Sequence, residues 1–247
     1  NEKGRYLGEF GGKAWDALTV RRLLTHTGGL PALPPTDVIR RGFPRATGRL
    51  ARLQLHSEPG THFRYSDTGF ILLAELIRRV SGQPLDRFLS ERLVQPLGMR
   101  DTAFHPGASM LPRVAPTEVV NGQLLHGTVH DENARLLGGV AGHAGLFSTA
   151  DDLARFCRML VEGGRWEGRQ VFKASTIRSL LMPLQAGQTI RSLGWDMASP
   201  FSRTLAPFFP IGSVGHTGFT GTALWIDPGT KPYLILLTNR VHPYGKG

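Results

Sequence analysis

Gly215-His216-Thr217-Gly218-Phe219-Thr220-Gly221-Thr222 opens the stretch that decides the fold class. From His216 to Ile226 the chain alternates and is rich in Thr, Phe and Trp, which reads as a strand. Asp227-Pro228-Gly229-Thr230 supplies a turn, and Tyr233 to Thr238 is a short apolar run that reads as a buried strand. An antiparallel hairpin therefore comes last. What precedes it is mostly helical. Gly69 to Ser81 is the strongest helix: apolar residues at 70, 72, 73, 76, 77 and 80 follow the 3.6 period, and Gly82 supplies the stop. Thr19 caps a short helix through Val20, Leu23 and Leu24 to the Gly28-Gly29 stop. After Pro84, Leu85, Phe88, Leu89 and Leu93 share one face. Thr149 opens a helix carrying Leu153, Phe156, Cys157 and Leu160, with Asp152 placed as in a capping box. Ser175 to Met182 is a further short helix. Residues 30–62 hold five prolines and read as a meandering surface excursion; 100–147 read as irregular. Helices first and a hairpin last predict an α+β (mixed α/β) fold. The reading is one domain over 1–247, with 19–200 mainly helical lobe and loops and 212–240 the sheet hairpin.

Composition narrows the classes. The chain has 247 residues, 40% hydrophobic and 19% charged, enough to bury a core without a metal or disulfide. No run of about 18 apolar residues exists, so no transmembrane segment is expected. Asn1 to Arg5 leads into no apolar stretch of the signal-peptide kind. The single cysteine, Cys157, excludes an internal disulfide and a Cys-cluster zinc site, and its helical spacing marks it as a buried thiol. The net charge is +10, carried by 24 Arg and 5 Lys. These are spread along the chain in doublets such as Arg21-Arg22 and Arg78-Arg79, with no run of five. That is a solvated Arg-rich surface, and no nucleic-acid partner is expected.

Three segments could carry chemistry. In Phe63-Arg64-Tyr65-Ser66-Asp67-Thr68-Gly69 a phenol and an acid stand two apart before the strongest helix. Either Asp67 or Thr68 simply caps that helix, or Tyr65 and Asp67 emerge together from a fixed loop, where a phenol near cations can act as a general base. Around His216, paired glycines mean a bulged edge strand or a close backbone approach by an extended substrate or reacting carbonyl. The third segment holds His126, His130-Asp131-Glu132 and Gly138-Gly139-Val140-Ala141-Gly142-His143-Ala144-Gly145. His126 and His130 have H-x₃-H spacing, but no helical periodicity surrounds them. The reading is a Gly-rich active-site loop ordered by His and Asp; no metal and no cofactor is expected.

Taken in order, these segments resemble the serine β-lactamase and penicillin-binding-protein superfamily, in its class C-like branch. Leu23-Leu24-Thr25-His26-Thr27-Gly28-Gly29-Leu30-Pro31 is similar to its LLTHTSGLP signature. Tyr65-Ser66-Asp67 stands at its Y-x-N motif, and Gly145-Leu146-Phe147-Ser148-Thr149-Ala150-Asp151-Asp152-Leu153-Ala154 at its GLxST-xxDLA helix start. His216-Thr217-Gly218 stands at its K-T-G motif. The His-Asp-Glu-Asn and Gly-His-Ala-Gly segments look like a carboxypeptidase-like subgroup. The resemblance implies an antiparallel sheet flanked by helices, with a helical lobe. It implies that Tyr65 activates a serine nucleophile and protonates the leaving group. Asp67 would hydrogen-bond a substrate amide, and His216 and Thr217 would line the substrate-docking strand. Gly218 and His143 would border the substrate, and the Phe219 N–H would be an oxyanion-hole donor. The substrate would be a small molecule or peptide.

Departures from the pattern carry information. The superfamily's nucleophile lies in S-x-x-K, with Ser and Lys one helical turn apart. No Ser in this chain has Lys three residues later; Ser175-Thr176-Ile177-Arg178 comes nearest, with Arg a poor base. The fold is therefore expected to be incomplete, lacking N-terminal strands, nucleophile helix and C-terminal helix, with a missing segment or a second chain completing the sheet. Asp67 in place of Asn accepts hydrogen bonds but cannot donate when ionised. His216 in place of Lys weakens the fixed positive charge. Both changes point away from potent β-lactam hydrolysis toward a carboxypeptidase, aminopeptidase or esterase. A non-catalytic binder of peptidoglycan-like peptides or of a partner is the alternative. The resemblance favours a periplasmic or extracellular setting.

Overall fold

The computed structural model describes residues 11, 13–40, 45–201 and 208–245, without the side chains of 13, 14 and 45–47. The chain divides into two compact units. One comprises Asn1–Phe88, Asp131–Gly145 and Gln185–Thr189; the other comprises Leu89–His130, Leu146–Leu184 and Ile190–Gly247. The helices are α1 (Lys13–Asp16), α2 (Val20–Leu24), α3 (Thr36–Ile39), α4 (Arg45–Leu50), α5 (Asp67–Ser81), α6 (Leu85–Leu89), α7 (Glu132–Leu136), α8 (Ala150–Val161) and α9 (Ala174–Leu181). The strands are β1 (Val119–Val120), β2 (Gln123–Leu124), β3 (Arg165–Trp166), β4 (Arg169–Gln170), β5 (Leu184–Ala186), β6 (Thr189–Arg191), β7 (Val214–Thr217), β8 (Thr222–Ile226) and β9 (Tyr233–Leu237).

The first unit is built on α5. Its N-cap is Ser66, whose Oγ accepts the Gly69 N–H at 3.2 Å, one residue earlier than the expected Asp67 or Thr68. Asp67 instead occupies the first turn, where a negative charge complements the helix dipole, and Arg78 and Arg79 occupy the last. Gly82 ends the helix in the left-handed region, at φ 71°. The buried face carries Ile71, Leu72 and Ala74. Ile71 and Leu72 join Trp15, Leu18, Leu23, Leu30, Val38, Ile39 and Leu50 in one core. The 30–62 segment is thus no surface excursion: α3 and α4 bury three of those nine side chains, and Leu30 a fourth. Burial of a Leu or Ile side chain contributes about 1.5–3 kcal/mol, enough to pull a proline-rich segment onto the core.

The second unit pairs α8 and α9 with small antiparallel sheets. Thr149 caps α8 as expected, its Oγ1 accepting the Asp152 N–H at 3.3 Å. Cys157, Met159 and Leu160 from α8 pack with Ile177, Leu97, Met99, Met197, Val214 and Ile226. The largest sheet runs β7-β8-β9, all antiparallel. The stretch expected as one strand from His216 to Ile226 is two strands joined by a tight turn. The Gly218 N–H donates to the Thr222 carbonyl at 2.7 Å and the Gly221 N–H to the Gly218 carbonyl at 3.1 Å. His216 lies opposite Leu224, and Leu224 opposite Ile235. β9 is the last strand of this sheet. Its apolar run, expected to be buried, leaves Leu234, Leu236 and Leu237 38–45% exposed. Among the described residues no helix is long and apolar enough to cross a membrane.

Candidate active site

In the first unit the Tyr65-Ser66-Asp67 loop is held by the segment that begins at Thr25. The His26 ring, 2% exposed, accepts the Ser66 N–H on Nδ1 at 3.0 Å. The same ring stacks on Tyr65 at 4.3 Å between centroids and on Phe70 at 4.9 Å. The His26 carbonyl accepts the Arg64 N–H at 2.9 Å, and the Ala32 carbonyl accepts the Asp67 N–H at 2.8 Å. Ser66 Oγ donates to the Pro31 carbonyl at 2.7 Å. His26 does this at φ 57°, in the left-handed region that is uncommon for residues other than glycine. Sequence reasoning used this segment only as a signature; its task is to fix the phenol and the acid at the head of α5.

His143 reaches the same place. Asp131 is the N-cap of α7, and its Oδ1 accepts both the Ala134 N–H at 2.7 Å and a His143 Nε2 contact at 2.9 Å. Gly142 lets the His143 segment lie on α5: a Cβ there would stand 2.0 Å from the Phe70 carbonyl oxygen. Asp67, Asp131 and His143 each place a ligand-type atom within 4.8 Å of the others. Burial raises the Asp67 carboxyl above its ordinary value, with Asp131 adding to the rise and His143 opposing it. Burial acts on Asp131 in the same direction, but hydrogen bonds from His143 and the Ala134 N–H, with the charges of His143 and Arg135, hold it below the ordinary value. Tyr65, Asp67 and His143 thus fall in one unit, and Asp131 joins them. The sequence reading has Asp131 only within a loop ordered by His and Asp and does not name it among the site residues.

The second unit gathers His216, Thr217, Gly218 and Phe219 on β7 and the turn after it. His216 Nδ1–H donates to the Thr217 carbonyl at 2.8 Å. Burial lowers the His216 pKa and the Arg191 charge acts the same way, against the Thr217 hydrogen bond and Asp196. The balance favours the neutral ring over the charged one. The glycines flanking it are required by the chain's own side chains: a Cβ at Gly215 would stand 1.8 Å from the Trp225 ring, and one at Gly218 2.2 Å from Thr222 Oγ1. Phe219 is 69% exposed, stacks on His130 at 5.6 Å and lies under the Arg240 guanidinium at 4.7 Å. Arg240 Nε donates to the Phe219 carbonyl at 2.6 Å, while no acceptor among the described residues takes the Phe219 N–H. His130 bonds Glu118 at 2.8 Å, and His126 bonds the Val114 carbonyl at 2.9 Å. The H-x₃-H pair is therefore engaged separately.

Residues 4–247 match the Beta-lactamase family. An Escherichia coli K12 protein named "Putative D-alanyl-D-alanine carboxypeptidase" is 32% identical over 93% of this chain and 58% of its own length. The Salmonella enteritidis protein of the same name is 30% identical over 93% of this chain and 59% of its own. The chain thus spans a little under three fifths of these relatives. Among solved structures, a class C β-lactamase superposes with TM-score 0.73 at 20% identity, covering 96% of this chain and 68% of that one. A penicillin-binding-protein homologue from Caulobacter crescentus superposes with TM-score 0.72 at 22% identity, covering 99% and 70%. The hydrolase EstCE1, described as having promiscuous acyltransferase activity, gives 0.72 at 21%, covering 96% and 71%. The helix-and-antiparallel-sheet fold is shared with all three, and the match across nearly the whole sequence fixes the lineage: the chain belongs to the β-lactamase family.

Proposed function

We propose that the protein carrying this chain is a serine hydrolase that cleaves a peptide amide or an ester through an acyl-enzyme. The observation that carries this is the Tyr65-Ser66-Asp67 loop, clamped by His26 at the head of α5 with a half-buried phenol on its edge. Tyr65 takes the hydroxyl proton of a serine that lies outside these 247 residues. The serine oxygen adds to the substrate carbonyl, the bond to the leaving nitrogen or oxygen breaks, and Tyr65 returns the proton to that atom. Water then hydrolyses the acyl-enzyme. Asp67 accepts from a substrate amide N–H. Thr217 and Gly218 form the strand edge that receives the substrate, and the uncommitted Phe219 N–H stabilises the tetrahedral oxyanion. A neutral His216 hydrogen-bonds the substrate where a lysine would attract it by charge. The substrate is accordingly a peptide or ester in preference to a β-lactam, and the kinship with relatives named as D-alanyl-D-alanine carboxypeptidases supports the peptide.

The test is covalent labelling of the full-length protein with a fluorescent penicillin and a fluorophosphonate, followed by peptide mapping. An adduct on a serine outside residues 1–247, lost or slowed 100-fold or more in Tyr65→Phe, is the expected result. Saturable binding of a D-alanyl-D-alanine peptide with no adduct and no turnover would overturn it in favour of a non-catalytic binder. The absence of a Ser-x-x-Lys pair from this sequence is the observation on that side.

A further inference from the structure

The first unit holds a group of donors that the acyl-transfer reading uses only in part. Asp67 heads α5, Asp131 caps α7, and His143 follows Gly142 on the glycine-rich loop, yet their ligand-type atoms lie within 4.8 Å of one another. None of the three is fully satisfied. The Asp67 carboxylate accepts no hydrogen bond among the described residues. Asp131 spends one oxygen, Oδ1, on both of its partners. The His143 side chain is only 3% exposed, and its Nδ1 is buried without a hydrogen-bond partner. The two carboxylates repel each other, and the His143 ring beside them offsets part of that repulsion. The backbone around them is fixed by the Ser66 cap, the Asp131 cap and the contact of Gly142 with the Phe70 carbonyl.

We propose that Asp67, Asp131 and His143 form a binding site for one divalent transition-metal ion of the zinc or manganese type. Two carboxylates and one imidazole make an O,O,N set; magnesium and calcium prefer oxygen alone, and thiolate-seeking ions find no sulfur here. An ion about 2.1 Å from each donor draws the three to within about 3.5 Å of one another, a contraction that side-chain torsions supply. Three protein ligands leave at least one position open to water or to a substrate oxygen. The second oxygen of Asp67 stays free for the amide contact assigned to it above. This inference stands apart from the hydrolase reading, because it is tested without turnover.

The experiment is isothermal titration of the EDTA-stripped protein with Zn²⁺ and with Mn²⁺, joined to the visible spectrum of the Co²⁺ form. The expected result is one ion per chain, with affinity at least about tenfold weaker in His143→Ala and in Asp131→Asn. Asparagine keeps the α7 cap, so Asp131→Asn decides the matter even where His143→Ala fails to fold. His126→Ala, on the surface stretch nearby in sequence, is expected to leave binding unchanged. No stoichiometric binding, binding untouched by Asp131→Asn, or binding lost equally in His126→Ala would overturn the site. A protein that binds the ion and labels no serine would leave this site standing and sink only the acyl-enzyme reading.

Discussion

His26 shows how one side chain can serve packing, backbone geometry and the candidate site together. It is buried, sits in a left-handed conformation and accepts the N–H of a residue 40 positions away. His26→Ala removes that acceptor and the stack on Tyr65. The expected loss is about 1–3 kcal/mol by urea denaturation, the cost of stranding a buried N–H. Asparagine tolerates positive φ, so His26→Asn should lose less than alanine does. None of this could be read from local spacing: the threonines and glycines around His26 announce a turn, but the partner on the far side of α3 and α4 is invisible to periodicity. Asp131 is a similar case, since its meeting with His143 depends on where a glycine-rich loop returns. Cys157 is the opposite. Its spacing among Leu153, Phe156 and Leu160 announces burial, and the side chain is 0% exposed. Burial pushes its thiol up to about 12. At pH 8 it should therefore resist a disulfide reagent in the native protein and react fully in 6 M guanidinium, which a colorimetric thiol assay will show.

At the level of elements, α5 joins the readable and the unreadable. Its fifteen residues are long enough for the 3.6 period to declare a helix. α3 and α4, at four and six residues, are too short to display any period, which is why the core contribution of 30–62 is found only in three dimensions. α5 also buries Glu75, with its side chain 1% exposed, against Arg78 at 2.7 Å and Arg79 at 2.7 Å. Burial alone would raise the Glu75 pKa; hydrogen bonds and charge from the two arginines outweigh it and hold the carboxyl below its ordinary 4.5. The native state thus binds this proton less readily than the unfolded chain does. The stabilisation is complete above pH 4.5 and fades as pH falls through the depressed native value. Thermal melts from pH 7 to pH 3 should show that decline in the wild type, and Glu75→Gln should flatten it while lowering stability at pH 7. In the sheet, Gly215 is the sharpest packing test. A methyl group there meets the Trp225 ring at 1.8 Å. Gly215→Ala should cost about 1–3 kcal/mol or more by forcing β7 off β8, read as a lowered melting temperature and a shifted indole fluorescence.

For the molecule as a whole, fold class and lineage were written in ordered motifs spread over the chain, because each one marks a place where backbone must turn or cap in a fixed way. What local pattern could not supply was the partnering of strands: the Thr- and Gly-rich stretch after Gly215 reads as one extended segment, and only the hydrogen bond from Gly218 to Thr222 reveals the hairpin. Strand partnering also has a consequence at the end of the β7-β8-β9 order. β9 shows one flank of peptide groups to no strand among the described residues, and Leu236 stands 44% exposed beside Leu234 and Leu237. Such a flank is a template for a neighbouring molecule. Solutions of this chain should thicken into dimers and larger species as concentration rises, seen by light scattering, and Leu236→Lys should keep them monodisperse. The practical result is a shelf life governed by dilution: the polypeptide keeps best when its molecules seldom meet.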